Sequence, residues 1–163
     1  MAEVKRKYYE TGKLQAEWFV MNGMKEGEFK RYYENGQLKS ICNYVNNKKE
    51  GEFKSYHENG QQELICNYIN GLKEGEEKKY HKNGQLWEIC NFVNGLKHGE
   101  YKEYQEEQIF EISYYIKGTR NGEWKLYHDN GKLWMICNFV NGKQKGEEKE
   151  YDDKGRLVEI TYY

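Results

Sequence analysis

The feature that most constrains this chain is a short phrase that recurs at a nearly fixed stride. Two successive copies are GEFKRYYENGQLKSICNYVNNKKE and GEFKSYHENGQQELICNYINGLKE, and the copies open at glycines spaced 24, 24, 24, 23 and 24 residues apart. Those glycines are Gly27, Gly51, Gly75, Gly99, Gly122 and Gly146. A motif this small buries little without its neighbours, so the pattern predicts a repeat array with long regular surfaces that hold another molecule.

The predicted organisation is one repeat domain, 1–163, in which the residues before Gly27 form a further divergent copy. The seven repeats are 1–26, 27–50, 51–74, 75–98, 99–121, 122–145 and 146–163. Charged residues make up 33% of the chain and hydrophobic ones 37%, which is too few aliphatic side chains for an ordinary globular core. The 16% of aromatic residues, placed at repeated positions, argues against disorder. A thin sheet, whose core is a set of apolar stripes, satisfies both observations.

Each repeat has the turn signals of a β-hairpin. Asn35-Gly36 and its equivalents predict two-residue type I′ turns, and a second Asn-Gly such as Asn70-Gly71 follows near the end of most repeats. Proline is absent, so every residue has a backbone N–H that can donate a hydrogen bond to a neighbouring strand. The sequence therefore predicts an all-β fold: tandem β-hairpin repeats that form an elongated, twisted single-layer antiparallel sheet.

The expected register follows from the turns, with strands near 28–34 and 37–46 and the same pattern in each repeat. The expected partners are Tyr33 with Leu38, Phe29 with Cys42, and Gly27 with Tyr44. A tyrosine over a strand glycine covers it. We expect the side that carries Phe29 to be the tighter, inward one, because Gly27 and Cys42 are small. The side that carries Tyr32 and Ile41 should then be open.

Residues that resemble catalytic or metal-binding groups have simpler explanations. The cysteines at one repeat position should be free thiols, because equivalent positions in neighbouring hairpins lie roughly 9–10 Å apart. These are Cys42, Cys66, Cys90 and Cys137. The column of His57, His81 and His128 also accepts Tyr, Gln and Asp, which indicates a solvated edge. Glu-x-Lys pairs such as Glu28/Lys30 should form exposed cross-repeat ion pairs. We therefore expect no enzyme activity, no catalytic residue, no metal and no cofactor.

The recurring tyrosine column is the strongest binding candidate, although it could equally be only the stripe that holds the sheet together. Tyrosine and tryptophan are enriched at protein-binding hot spots, and tryptophan and phenylalanine join this face in the later repeats. The predicted partner-binding residues are Tyr80, Trp87, Tyr104, Phe110, Tyr127 and Trp134.

Charge and hydropathy narrow the range of partners. The net charge is −1, from 26 basic and 27 acidic residues, which gives no electrostatic footprint for nucleic acid or an anionic membrane. The chain has no apolar run long enough to cross a bilayer and no secretory signal, so we expect a cytoplasmic protein. The last strand, LVEITYY, carries few charges, so any homodimer should form through this sheet edge.

These features resemble MORN repeats, and most closely a bacterial variant of them. The best-fitting segments are YYENGQLKSICNYVNNKKEGEF, from Tyr32 to Phe53, and YHDNGKLWMICNFVNGKQKGEE, from Tyr127 to Glu148. The repeat 99–121 departs from the pattern, because Glu106-Glu107-Gln108 replaces its first Asn-Gly. The resemblance implies stacked hairpins and, for this variant, an antitoxin of a bacterial toxin–antitoxin system that sequesters a partner protein.

The leading hypothesis is a non-enzymatic antitoxin or inhibitor that neutralises a toxin or a defence nuclease by covering it, in a bacterial or a phage context. The alternative is a structural scaffold or a membrane-associated repeat protein, as MORN repeats elsewhere suggest. Nucleic-acid binding through tyrosine stacking is disfavoured, because glutamates match the lysines.

Overall fold

The computed structural model describes residues 2–163, and every regular element in that range is a β-strand. The strands are β1 Ala2–Tyr8, β2 Leu14–Met21, β3 Met24–Tyr32, β4 Leu38–Val45, β5 Lys48–Tyr56, β6 Gln62–Ile69, β7 Leu72–Lys73, β8 Gly75–Tyr80, β9 Leu86–Val93, β10 Leu96–Gln105, β11 Gln108–Ile116, β12 Thr119–Arg120, β13 Gly122–Tyr127, β14 Leu133–Val140, β15 Lys143–Tyr151 and β16 Leu157–Tyr162. Within residues 2–163 no helix is long and apolar enough to cross a membrane.

The chain forms two compact units, an N-terminal unit that ends at Gly84 and a C-terminal unit, Gln85–Tyr163. In the N-terminal unit the strands pair in the order β1-β2-β3-β4-β5-β6-β8, and the short β7 pairs with β6. In the C-terminal unit the order is β9-β10-β11-β13-β14-β15-β16, and the short β12 pairs with β11. All of the pairings within each unit are antiparallel between neighbours in sequence. The predicted class, tandem β-hairpins in a single-layer antiparallel sheet, is confirmed.

The second turn of each repeat is the expected two-residue hairpin. Asn70 and Gly71 both have positive φ, at 53° and 85°, and Ile69 pairs directly with Leu72. Asparagine and glycine suit these positions because both tolerate the left-handed region that a type I′ turn requires.

The first turn is different, and the predicted two-residue loop is wrong there. Of the loop residues 34–36 only Gly36 has a positive φ, at 89°, and its N–H donates to the carbonyl of Tyr33 at 2.9 Å. A three-residue loop therefore joins Tyr33 to Gln37, whose carbonyl accepts from the Tyr33 N–H at 2.8 Å. The extra residue is absorbed by a bulge, so Leu38 pairs with Tyr32 and not with Tyr33.

Beyond that bulge the predicted register is confirmed, since Phe29 pairs with Cys42 and Gly27 with Tyr44. Gly27 also has a role that the sequence did not reveal. Its φ is 74°, and it lies where the β2–β3 register shifts between Trp18 and Val20. A bulge residue in the left-handed region is best filled by glycine, which explains why a glycine opens every repeat.

The two sides of the sheet differ in burial, as expected. The side that carries Phe29 and Cys42 in the N-terminal unit, and Cys90, Tyr101 and Ser113 in the C-terminal unit, is here called the buried face. The most buried apolar side chains belong to it: Ala16, Phe29, Cys42, Cys66, Cys90, Phe92, Tyr101, Leu126 and Cys137. The opposite side, here called the open face, carries Tyr32 and Ile41 in the N-terminal unit and their equivalents in the other.

Cationic side chains cover the aromatic rings of the buried face. In the N-terminal unit Lys49 Nζ lies 4.4 Å from the ring centroid of Phe53 and 4.6 Å from that of Tyr68. In the C-terminal unit Lys97 Nζ lies 4.3 Å from the centroid of Tyr101. A cation over a ring is attracted by the ring quadrupole, while its alkyl stem shields the ring from water. A single-layer sheet can thus protect an apolar stripe without a second layer.

The histidine column links neighbouring repeats instead of forming a solvated edge. Tyr33 Oη donates to the carbonyl of Tyr56 at 2.7 Å, and His57 Nε2 is 2.8 Å from the carbonyl of Tyr80. Both side chains are half-buried. A carbonyl oxygen only accepts hydrogen bonds, and both a tyrosine hydroxyl and a histidine Nε2–H can donate one, so either residue can make this link between repeats. Each such bond contributes about 0.5–1.5 kcal/mol to the cohesion of adjacent hairpins.

Candidate protein-binding face

The predicted binding residues fall in both units. Tyr80 lies in the N-terminal unit, at the end of β8, and the other five lie in the C-terminal unit. In the C-terminal unit Trp87 and Trp134 are 38% and 37% exposed. Trp134 is the unpaired residue of a β-bulge, where strand alternation breaks, and both tryptophans contact side chains of the buried face, Glu103 and His128. The structure thus places both rings against the rim of the buried face, and not on the open face that the sequence predicted. Phe110 occupies the same repeat position and is half-buried, as are Tyr104 and Tyr127. The two tryptophans are therefore the most accessible of the six.

Trp134 is held by its neighbours. Its ring lies 5.8 Å from the imidazole of His128, at an interplanar angle of 33°. The His128 Nε2 atom is in turn 2.8 Å from the carbonyl of Tyr151, so that imidazole is fixed to the next strand pair. Trp87 has an anchor of a different kind, because its Nε1–H donates to Glu103 Oε1 at 3.4 Å. An aromatic side chain that is already oriented loses little conformational entropy when it binds a partner.

On the open face of the C-terminal unit, a row of alternating isoleucines and lysines runs beside Tyr104 and Tyr127. Lys102 pairs with Ile89 on one side and Ile112 on the other, and Lys125 pairs with Ile112 and Ile136. Each lysine is only 28–29% exposed along its side chain. The row is thus amphipathic, with aliphatic stems between the isoleucines and ammonium groups at the surface.

The ion pairs of this face form within strands, so the predicted cross-repeat pairing is wrong. Lys102 Nζ lies 2.6 Å from Glu100 Oε2, and Lys125 Nζ lies 2.6 Å from Glu123 Oε2. Residues i and i+2 of a strand point to the same side, and the hydrogen-bonded neighbour of each lysine across the ladder is an isoleucine. The hydrogen bond that Lys102 donates to Glu100 raises the pKa of Lys102, and the one that Lys125 donates to Glu123 raises the pKa of Lys125. Both lysines therefore stay charged at neutral pH, and the open face is close to electroneutral.

Tyr114 is a candidate that sequence reasoning missed. It is 37% exposed, and its hydroxyl donates to Glu100 Oε1 at 3.0 Å, which raises its pKa. The sequence did carry a signal, because the same position is asparagine in the repeats around it, as at Asn91 and Asn138. Tyr114 thus adds an exposed aromatic ring to the open face of the C-terminal unit.

The four cysteines do not contribute a reactive site. All four are free and buried, as predicted. Burial raises the pKa of Cys66 and of Cys137 to about 11, and it also raises the pKa of Cys42. A thiol with a raised pKa carries almost no thiolate at neutral pH, so it is a poor nucleophile. These residues pack as small apolar side chains.

Comparison with known proteins identifies the family. The profile of the MORN repeat variant matches residues 4–22, 25–46, 49–70, 73–94 and 120–141. The unmatched segment 95–119 contains the turn in which Glu106-Glu107 replaces Asn-Gly. No curated protein sequence matches the chain. MORN repeats serve as protein-binding modules and are typically non-catalytic. Since the five matches cover more than half of the chain and each falls on one hairpin repeat, the protein belongs to the MORN repeat variant family.

Proposed function

We propose that this protein is a cytoplasmic antitoxin or inhibitor that neutralises a protein target by covering it with the exposed aromatic residues of the C-terminal unit. The observation that carries the proposal is the exposure of Trp87 and Trp134, two side chains that Glu103 and His128 hold in place. Large aromatic side chains dominate the energetics of protein interfaces, and these two are presented without a covering layer.

The chemistry of the open face also supports a protein partner. Tyr104 and Tyr127 adjoin a row in which isoleucines alternate with lysines that are neutralised by glutamates. A nearly neutral surface with an apolar centre and a polar surround is typical of a protein interface. A nucleic-acid surface would instead present lysines without matching carboxylates. The proposed target is a toxin or a nuclease that loses its activity when this surface occludes its active site.

The test begins with the protein encoded beside this gene, which would be co-expressed with the chain and measured for binding by calorimetry. Trp87→Ala and Trp134→Ala are each expected to weaken binding by about 2 kcal/mol or more, the usual scale for an interface hot spot. The far-ultraviolet circular dichroism of both variants should match that of the parent, because each repeat is stabilised mainly by its own hairpin and its nearest neighbours.

The matched control is Lys39→Ala, at the equivalent position of the repeat 27–50 in the N-terminal unit. It should leave the affinity within about twofold, since isolated surface positions seldom matter to binding. If both tryptophan variants bind as tightly as the parent, then the proposed binding surface is wrong. If the co-expressed protein is bound but remains active, it is the inhibitory role that fails.

A further inference from the structure

A cationic pocket lies on the N-terminal unit, apart from the proposed binding face. It encloses about 310 Å³, which is within the range of small-molecule sites. The side chains that line it are Lys7, Tyr9, Gln15, Ala16, Trp18, Lys25, Phe29, Arg31, Tyr32 and Lys39. Four of these ten are cationic, and the lining drawn from residues 2–163 contains no aspartate or glutamate.

The small side chain of Ala16 leaves the space at the floor of the pocket. Ala16 is 5% exposed and pairs with Lys7 on one side and with Arg31 on the other. Directly paired residues point to the same side of a sheet, so the two cations flank Ala16 on the buried face. Their Cα atoms are separated by two strand spacings, roughly 10 Å, a gap that both long side chains can close around a shared anion.

The cations of the pocket are not neutralised by the protein. Lys7, Arg31 and Lys39 have no ion-pair partner within 4.0 Å among residues 2–163. Arg6, which precedes Lys7, points to the other side of the sheet and lies 3.5 Å from Glu17. Lysines and glutamates pair repeatedly elsewhere in this chain, so a group of unpaired cations around a cavity is a departure from its own pattern.

The pocket is also specific to the first repeats. No later repeat has a cation at both the position of Arg31 and that of Lys39. At the position of Arg31 later repeats have Ser55, Lys79, Glu103, Leu126 and Glu150, and at the position of Lys39 they have Glu63 and Trp87, among others. The cationic pocket therefore does not follow from the repeat architecture, which the other copies keep without it.

An aromatic wall stands beside the cations. Trp18 follows Ala16 by two residues on the same face of β2, roughly 7 Å away, and is half-buried. Its ring stacks on that of Phe29 with centroids 5.6 Å apart and an interplanar angle of 28°. Arg31 Cζ lies 5.6 Å from the Phe29 centroid, so the guanidinium is held against the same wall. Lys25 Nζ lies 5.9 Å from the Trp18 centroid and 5.1 Å from that of Phe29, so cations and aromatic rings are adjacent in the pocket.

We propose that this pocket binds a small phosphorylated molecule that carries an aromatic ring, with the chemistry of a nucleoside monophosphate. Lys7 and Arg31 hold the phosphate across Ala16, because guanidinium and ammonium groups form strong charge-assisted hydrogen bonds with phosphate oxygens. Trp18 packs against the ring. This binding is independent of the proposed inhibitory role, which depends on residues of the other unit.

The experiment is calorimetric titration of the full chain with adenosine 5′-monophosphate, adenosine and inorganic phosphate. The monophosphate should bind, and more tightly than either of the other two probes. The double variant Lys7→Gln/Arg31→Gln should weaken its binding by about tenfold or more, as expected for the loss of charge-assisted bonds to phosphate. Arg6→Gln is the matched control and should change the affinity by less than about twofold, because exposed ion pairs contribute little. Trp18→Leu should lower affinity for the monophosphate and leave that for inorganic phosphate unchanged.

Three results would overturn the proposal. The first is no detectable binding of the monophosphate by the parent protein at millimolar concentration. The second is equal binding of the monophosphate by the parent and by Lys7→Gln/Arg31→Gln, with thermal melting showing that both proteins are folded. If the double variant does not fold, the single Lys7→Gln variant, at an exposed position, replaces it in this comparison. The third is equal affinity for inorganic phosphate and the monophosphate, which would show that the aromatic wall takes no part.

Discussion

Replacing Ser113 by cysteine is expected to stabilise the protein, because the serine hydroxyl is buried without a partner. Ser113 is fully buried, and its Oγ has no hydrogen-bond partner among residues 2–163. It pairs with Tyr101, and Cys90 pairs with the same tyrosine from the other side. Cys90 is 2% exposed, so two equivalent and almost equally buried positions carry a hydroxyl in one case and a thiol in the other.

The size of the effect follows from the chemistry of the two groups. A buried hydroxyl without a hydrogen bond costs about 1–3 kcal/mol relative to its hydrated state. A thiol behaves as a small apolar group and avoids that cost. The larger sulfur must fit a site that has no exposed surface, and overpacking takes back part of the gain. A net increase of about 1 kcal/mol in the free energy of unfolding remains, or about 2–4 °C in melting temperature for a chain of this length.

Urea denaturation followed by circular dichroism measures the change as a shift of the midpoint at constant m-value. Cys42→Ser, at the equivalent buried position of the repeat 27–50, is the reverse variant and should lower the midpoint. Ser113→Ala removes the hydroxyl without adding sulfur, so its midpoint should lie between those of the parent and Ser113→Cys. A Ser113→Cys protein that is less stable than the parent, together with a tolerated Cys42→Ser, would show that the unpaired hydroxyl is not a cost.

Three further outcomes are expected. Glu106→Asn/Glu107→Gly should stabilise the protein by about 1 kcal/mol, because both glutamates have positive φ, at 49° and 68°, and a non-glycine residue in that region costs about 1–2 kcal/mol. The control Glu58→Gly, at an exposed turn position without positive φ, should destabilise the protein. The opposite order of melting temperatures would contradict the assignment of strain. Raising the pH should unfold the protein between about pH 9 and 11, because the folded pKa of the Cys66 and Cys137 thiols, about 11, lies above the ordinary 9.0. The neutral thiols therefore favour the folded state below pH 9, and that stability, about 3 kcal/mol per thiol, is lost as the pH rises. Thiol reagents should modify both residues only as the protein unfolds. Rapid modification of the folded protein at pH 8 would contradict the raised pKa values. Any homodimer should dissociate on Val158→Lys, because Val158 is 65% exposed on the last strand and a charge there opposes edge pairing. A dimer of this variant that persists in sedimentation velocity would exclude the last strand as the dimer interface.

The sequence alone was sufficient for the features that short-range chemistry controls. Asn-Gly pairs such as Asn70-Gly71 favour a two-residue turn wherever they occur, and the fixed stride repeats each hairpin. The pairing of Phe29 with Cys42 follows from the turn and the alternation of a strand, and the structure has that pairing. Smaller residues on one side also indicated correctly which face is buried. These features depend on a few neighbouring residues, whose preferences are visible in one repeat.

Only the tertiary structure decided how each hairpin adapts to the next. The first Asn-Gly became part of a three-residue loop, where Asn59 donates from Nδ2 to the carbonyl of Lys82 in the following repeat at 2.7 Å. The glycine that opens each repeat fills a left-handed bulge in the ladder to the preceding strand, and lysines cover the rings of the buried face. The exposure of Trp87 and Tyr114, and the cavity over Ala16, likewise depend on which side chains lie on adjacent strands. A sequence pattern shows what one hairpin prefers, but burial, bulges and cross-repeat bonds are properties of neighbouring hairpins in contact, and they are fixed only when the repeats pack.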